Sequence, residues 1–263
     1  MPKVILGDNP FFGISHLSPS KSEQYLKDGS RWKKAAAIIK AAPALGIDTF
    51  MVSSHEETPD LLDAAGYASG TLLPDICLVV PNVHKVNTQA ASSGIMGALK
   101  SIFSMKFSFS NLRPRRFYER VVMGGIVYPR SKYVALHNVV VDMLIGLRAT
   151  FVLSAFCRVT QFCGYKPVLI TLNPAQLISL RVSCSAICCY YNINHYNVCN
   201  DPVAVLDAFE KNNRVDELWA MGIVASGTVL YDDLASDPVL QRYSSVLVAS
   251  TKLERIEAMR RIF

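Results

Sequence analysis

Residues 32–57, WKKAAAIIKAAPALGIDTFMVSSHEE, hold the unit on which the fold reading turns. Apolar residues recur at helical spacing as far as Leu45. Gly46 then stops the helix, as glycine does at a C-terminus. The run Thr49–Ser53 is apolar on both faces rather than alternating, which is the pattern of a parallel strand covered by helices on either side. The chain turns polar immediately after it, in Ser53, Ser54, His55, Glu56 and Glu57. Helix, glycine, buried strand and polar end make one αβ unit with its functional edge at the strand's C-terminus.

The same unit recurs outward in both directions. Strands are expected at 3–6, 49–53, 76–80, 133–136, 168–171, 186–191, 218–224 and 246–249. Helical patterns follow at 59–66, 88–103, 143–163, 174–181, 202–212, 230–241 and 252–262. Eight such units in 263 residues fit a single-domain (β/α)8 TIM barrel over 1–263, a fold of about 250 residues. A doubly wound open sheet is the second choice. Segments 17–30 and 104–130 interrupt the repeat and are expected to flap over one end of the barrel. The apolar region 133–157 reads as a buried strand followed by a buried helix, because His137, Asn138, Asp142 and Arg148 break any membrane span.

Composition narrows the class of function. Hydrophobic residues make up 51% of the chain and charged residues 18%, so a packed core and not disorder is expected. The formal net charge is +6, with basic clusters at 113–120 (RPRRFYER) and 260–261, but no basic stripe with interleaved aromatics runs along the chain. A small-molecule ligand is expected as the partner, with no nucleic acid and no membrane. Seven cysteines without a CxxC motif read as buried hydrophobes in a reducing, cytoplasmic setting.

In a barrel, chemistry gathers where strands end and βα loops begin. All five histidines fall there: His16, His55, His84, His137 and His195. His55, His84 and His137, with Glu56 and Lys85, are the catalytic candidates, since imidazole transfers protons near neutral pH. Asn9, His16, Asn82, Asn173, Asn192 and His195 are candidates to position a substrate. Ser226 and Gly227 after strand seven, and Ser250 and Thr251 before the last helix, offer hydroxyls and backbone N–H groups to an anion, with Arg255 nearby. Separate capping or packing roles account for the same residues one by one. No HxH or HExxH spacing supports a metal site, so a divalent metal is the weaker cofactor reading.

Several segments together resemble the aldo-keto reductase superfamily: GIDTF (46–50), VALH (134–137), TLNPAQL (171–177) and VLVASTKLERIEAM (246–259). The resemblance implies a barrel, NADPH as a possible cofactor, a catalytic histidine at His137, a nicotinamide contact at Asn173, and adenosine-phosphate contacts at Ser250 and Arg255. It fails at the proton machinery. Met51 stands where that family keeps aspartate, Glu56 where it keeps tyrosine, Pro81 or Asn82 where it keeps lysine, and Ala249 where a second lysine precedes the serine. The opening Leu6–His16 and the segment Pro81–Lys85 resemble a set of uncharacterised barrel proteins with an LGxNPFxGxSH start. The leading expectation is an enzyme acting on a small anionic or phosphorylated metabolite by histidine acid/base chemistry. The alternatives are a nicotinamide-dependent oxidoreductase with an altered proton donor and a non-catalytic binding barrel.

Overall fold

Eight parallel strands close on themselves in chain order, β1 pairing with both β2 and β8. A computed structural model describes residues 1–13, 25, 27–69, 72–82, 113–191, 201–224 and 231–263. The strands are β1 (Lys3–Gly7), β2 (Thr49–Ser53), β3 (Asp75–Val80), β4 (Ser131–Leu136), β5 (Lys166–Thr171), β6 (Cys184–Tyr190), β7 (Val215–Met221) and β8 (Ser245–Val248). The described helices are α1 (Arg31–Ala41), α2 (Thr58–Ala65), α3 (Pro114–Val121), α4 (Asn138–Gly146), α5 (Thr150–Phe162), α6 (Pro174–Ser179), α7 (Pro202–Glu210), α8 (Tyr231–Ala235) and α9 (Leu253–Ile262).

The strand pattern is explained by two separate cores. Alternate residues point inward: Ile5, Met51, Cys77, Val79, Tyr133, Ala135, Val168, Ile170, Ala186, Cys188 and Trp219 fill the barrel interior. Their neighbours, such as Leu6, Phe50, Leu78, Val134, Leu169 and Leu218, are buried under the helices. Both faces of each strand are therefore apolar. Inside, the rings of Trp219 and Tyr133 meet edge to face at 5.5 Å, and Trp219 Nε1 donates to Glu217 at 2.7 Å. Small residues on neighbouring strands, Ala135, Ala186, Cys77 and Cys188, leave room for these two large ones.

Five expectations need correction. The helix expected over 143–163 is two helices, α4 and α5, parted at Arg148, which adopts a left-handed φ of 56°. Neither is a buried helix, since Leu147, Phe151 and Phe162 are 69%, 75% and 77% exposed. Strand seven begins three residues earlier than expected, and Gly222 ends it at a φ of 70°. The helix expected over 230–241 stops at Ala235 and resumes as a 3-10 turn over Leu240–Arg242. The described part of segment 104–130 lies along the barrel's flank: Tyr118 of α3 and Thr160 of α5 share a hydrogen bond of 2.7 Å between buried hydroxyls. Most of segment 17–30 and the helix expected over 88–103 lie outside the described residues.

Arg181, between α6 and β6, also holds a left-handed backbone, with φ of 54°. A side chain there costs free energy that glycine does not incur. Arg181→Gly is expected to stabilise the fold by about 0.5–1 kcal/mol, net of the added freedom of the unfolded chain. Urea denaturation checks this, and a lower midpoint at unchanged slope would contradict it.

Candidate functional site

The best-defined part of the barrel mouth lies over β1 to β4. Gly7 pairs with Met51, so Asp8 emerges one residue above Met51. Asp8 is 5% exposed. Its Oδ2 accepts the backbone N–H of Ser53, the last residue of β2, at 2.6 Å. β1 has ended at that level, and the carboxylate satisfies an N–H that the ladder leaves over. Burial pushes the carboxyl up from 3.8 to about 6, against the opposing pull of its hydrogen bonds to Ser53. An amide would satisfy the same N–H without that cost.

Two histidines flank the end of β3. Ser54 N–H donates to Val79 O at 2.9 Å, which seats the His55 loop on one side. His137 N–H donates to Val80 O at 2.9 Å, which seats His137 on the other. They rise from strands two apart, roughly 10 Å at the backbone. Both rings are held in the same way. His55 Nδ1 accepts the Glu57 N–H at 3.3 Å, and His137 Nδ1 accepts the Val139 N–H at 3.2 Å, capping α4. With Nδ1 engaged as acceptor, each neutral ring carries its proton on Nε2. Each is therefore set as a donor at the ring atom opposite the backbone.

A second layer holds His55. Its ring packs on Phe12 at 4.9 Å, and Phe12 meets Trp32 edge to face at 5.5 Å. Glu57 bonds Arg31 through one oxygen and places the other 3.7 Å from His55 Nδ1. The Arg31 guanidinium lies over Trp32 at 4.3 Å. This chain of contacts ties the start of α1 to the β2 loop. Beside it, Ser54 Oγ is buried with no hydrogen-bond partner among the described residues, an unmet cost that a ligand's polar group would relieve.

On the far side of His137, Asp142 of α4 accepts the Thr171 hydroxyl and the Leu172 N–H, the latter at 3.0 Å. Thr171 Oγ1 in turn accepts the Asn173 N–H at 2.9 Å. The end of β5 is thereby fixed, with Asn173 half-buried before α6 and its side chain not spent on the cap. Ser250 is buried, and its Oγ accepts the Lys252 N–H at 3.1 Å, so it serves its own turn. Arg255 is exposed, and Glu254 in the first turn of α9 places a negative charge where an anion would approach.

The candidates thus divide. Asn9, His55, Glu56, Asn82, His137, Asn173, Ser250, Thr251 and Arg255 are described, each at or beyond a strand end as expected, with Asn9 and Asn82 half-buried and Glu56 exposed. His16, His84, Lys85, Asn192, His195, Ser226 and Gly227 lie outside the described residues. Among the described residues, no group of three or more His, Cys, Asp or Glu is placed to hold a metal, and no helix is long and apolar enough to cross a membrane. The described cysteines are unpaired and buried, with thiols pushed up by burial. Asp8 is not among the catalytic candidates that the sequence offers. Its one sequence signal was its place directly after β1.

No family model matches the sequence, and no curated protein matches it either. Solved structures do match in shape. A protein from Pseudomona aeruginosa titled as an aldo-keto reductase superposes with a TM-score of 0.57 at 14% identity, covering 98% of this chain and 88% of that one. A further structure under a similar title from the same organism gives 0.58 at 15%, over 98% and 89%. A glycerol dehydrogenase from Gluconobacter oxydans gives 0.56 at 14%, over 99% and 86%. The chain therefore has the barrel fold of the aldo-keto reductases at low sequence identity. Asn173 stands directly after β5, and Ser250 and Arg255 follow β8. Met51 is buried, 3% exposed, near the end of β2.

Proposed function

We propose that the mouth of this barrel is the active site of an enzyme acting on a small anionic or phosphorylated metabolite by proton transfer. The observation that carries the reading is the arrangement around β3. Two strand-end histidines, each fixed with Nδ1 as acceptor, stand at the same end of the barrel as a buried carboxylate raised to about 6. His55 and His137 donate hydrogen bonds from Nε2–H to the substrate oxygen on which charge develops. Asp8 is the acid/base group whose charge changes nearest pH 6. Glu56 and Asn82 stand at the rim of this quarter. Asn9 and Asn173 contribute substrate hydrogen bonds from either side, and Thr251 and Arg255 supply the anion's counterparts. His16, His84, Lys85, Asn192, His195, Ser226 and Gly227 complete the proposed site on sequence grounds alone.

Similarity to reductase and dehydrogenase barrels supports a second reading, a nicotinamide-dependent oxidoreductase. Asn173, Ser250 and Arg255 would hold the dinucleotide, which supplies a hydride when bound. This chain would then take its proton from Asp8, because among the described residues no aspartate, tyrosine and lysine set stands around Met51.

One experiment separates the readings. Thermal shift against a panel of phosphorylated and carboxylate metabolites, with NADPH and NADH included, is expected to show stabilisation by an anionic metabolite. Ligand at about 100 times its Kd adds about 2.7 kcal/mol. Stabilisation by the nucleotides alone favours the oxidoreductase. No stabilisation by any member at about millimolar concentration removes both.

A further inference from the structure

The barrel's flank over α3, α4 and α5 carries a surface that the proposed chemistry does not use. α5 is apolar on two opposite sides. Leu153, Cys157 and Thr160 are buried against the barrel, while Phe151, Ala155, Val159 and Phe162 are exposed at helical spacing on the other side. α4, which precedes it, exposes Val139, Met143 and Leu147, again one turn apart. A surface helix normally turns a polar face outward.

The charge around this stripe has one sign. α3 lies along the C-terminal half of α5, through the Tyr118–Thr160 bond, the Pro114–Cys163 contact and Arg115 Nη2 donating to Tyr165 Oη at 3.4 Å. It exposes Arg113, Arg115, Arg116 and Arg120, and Arg148 and Arg158 are exposed at the hairpin and on α5. Residues 113–165 contain 8 Lys and Arg but only 2 Asp and Glu. Two of the eight, Arg130 and Lys132, pair with Asp75 at the start of β3, which leaves six cations on α3, α5 and the hairpin against the two carboxylates. Both carboxylates are engaged. Glu119 accepts Arg115 and Tyr165, and Asp142 accepts Thr171 and Leu172.

We propose that this face docks on an anionic phospholipid surface, with Phe151, Val159, Phe162 and Leu147 entering the headgroup boundary and the arginines facing phosphate and carboxylate headgroups. Apolar side chains ringed by cations without exposed anions are the composition of an interfacial helix surface. The expectation of no membrane partner rested on the lack of a span, which is a separate property.

Cosedimentation of the full chain with phosphatidylserine–phosphatidylcholine vesicles and with phosphatidylcholine vesicles tests it. Partition is expected to be about 10-fold or more higher on the anionic vesicles and to collapse between about 0.1 and about 0.5 M salt. The triple change Arg113→Glu, Arg116→Glu and Arg120→Glu should abolish the preference, and Phe151→Ser with Phe162→Ser should weaken binding, with circular dichroism unchanged in both. Equal partition on the two vesicle types overturns the proposal. So does a concentration-dependent dimer that the phenylalanine changes dissolve without any lipid binding, since a second copy would then cover the face.

Discussion

Asp8→Asn is expected to make the protein more stable at neutral pH and far less active. The sign follows from the carboxyl's shift. Its pKa is raised by burial from 3.8 to about 6 in the folded protein. The folded state therefore binds the proton more tightly than the unfolded chain does. The stability linked to that proton is fully present below pH 3.8 and is lost as pH rises through about 6. A shift of about 2 units corresponds to a loss of up to about 3 kcal/mol. Asparagine has no proton to lose, and its carbonyl can still accept the Ser53 N–H. The variant's advantage in urea denaturation is expected to grow by about 2 kcal/mol between about pH 4 and about pH 8. Turnover of the substrate found by ligand screening should fall about 10²–10⁴-fold, with loss of the limb near pH 6. A variant that gains the stability but keeps its turnover would make Asp8 a strand-end plug. One that loses stability at all pH values would show that the burial cost has been misread.

Asp8 also marks where sequence reading stops. The barrel was legible because apolar runs covered on both faces, with glycine stops such as Gly46 before them, are a local signal repeated eight times. His55 and His137 were legible because each stands directly after such a run. Asp8 stands there too, but nothing in GDNPFFG says that its carboxylate is buried. Only the β1–β2 register places it under Ser53 and away from water. That register depends on how strands 45 residues apart align, which no local pattern encodes. The helix break failed for a related reason. Gly146 hints at an end, but the left-handed Arg148 carries no sequence signature. The outward stripes of α4 and α5 read as buried in the sequence because an apolar residue says that it avoids water, not what covers it.

The sharpest test of the site is at His137, because two roles share one side chain. Its Nδ1 caps α4 through the Val139 N–H, and its Nε2–H is the proposed hydrogen-bond donor to the substrate. Alanine removes both roles and cannot separate them. Loss of the cap alone costs about 1 kcal/mol. Asparagine is among the best capping residues, so His137→Asn should keep α4 intact while removing the imidazole. The expected result is stability within about 0.5 kcal/mol of the parent with turnover down about 10²–10⁴-fold. His137→Ala should show the same fall in turnover plus the loss of the cap. If the asparagine variant instead keeps full turnover, the histidine is a helix cap. The substrate's hydrogen bond would then rest on His55 and its proton transfer on Asp8, on the other side of β3, and His137 at the end of β4 would be a feature of the scaffold alone.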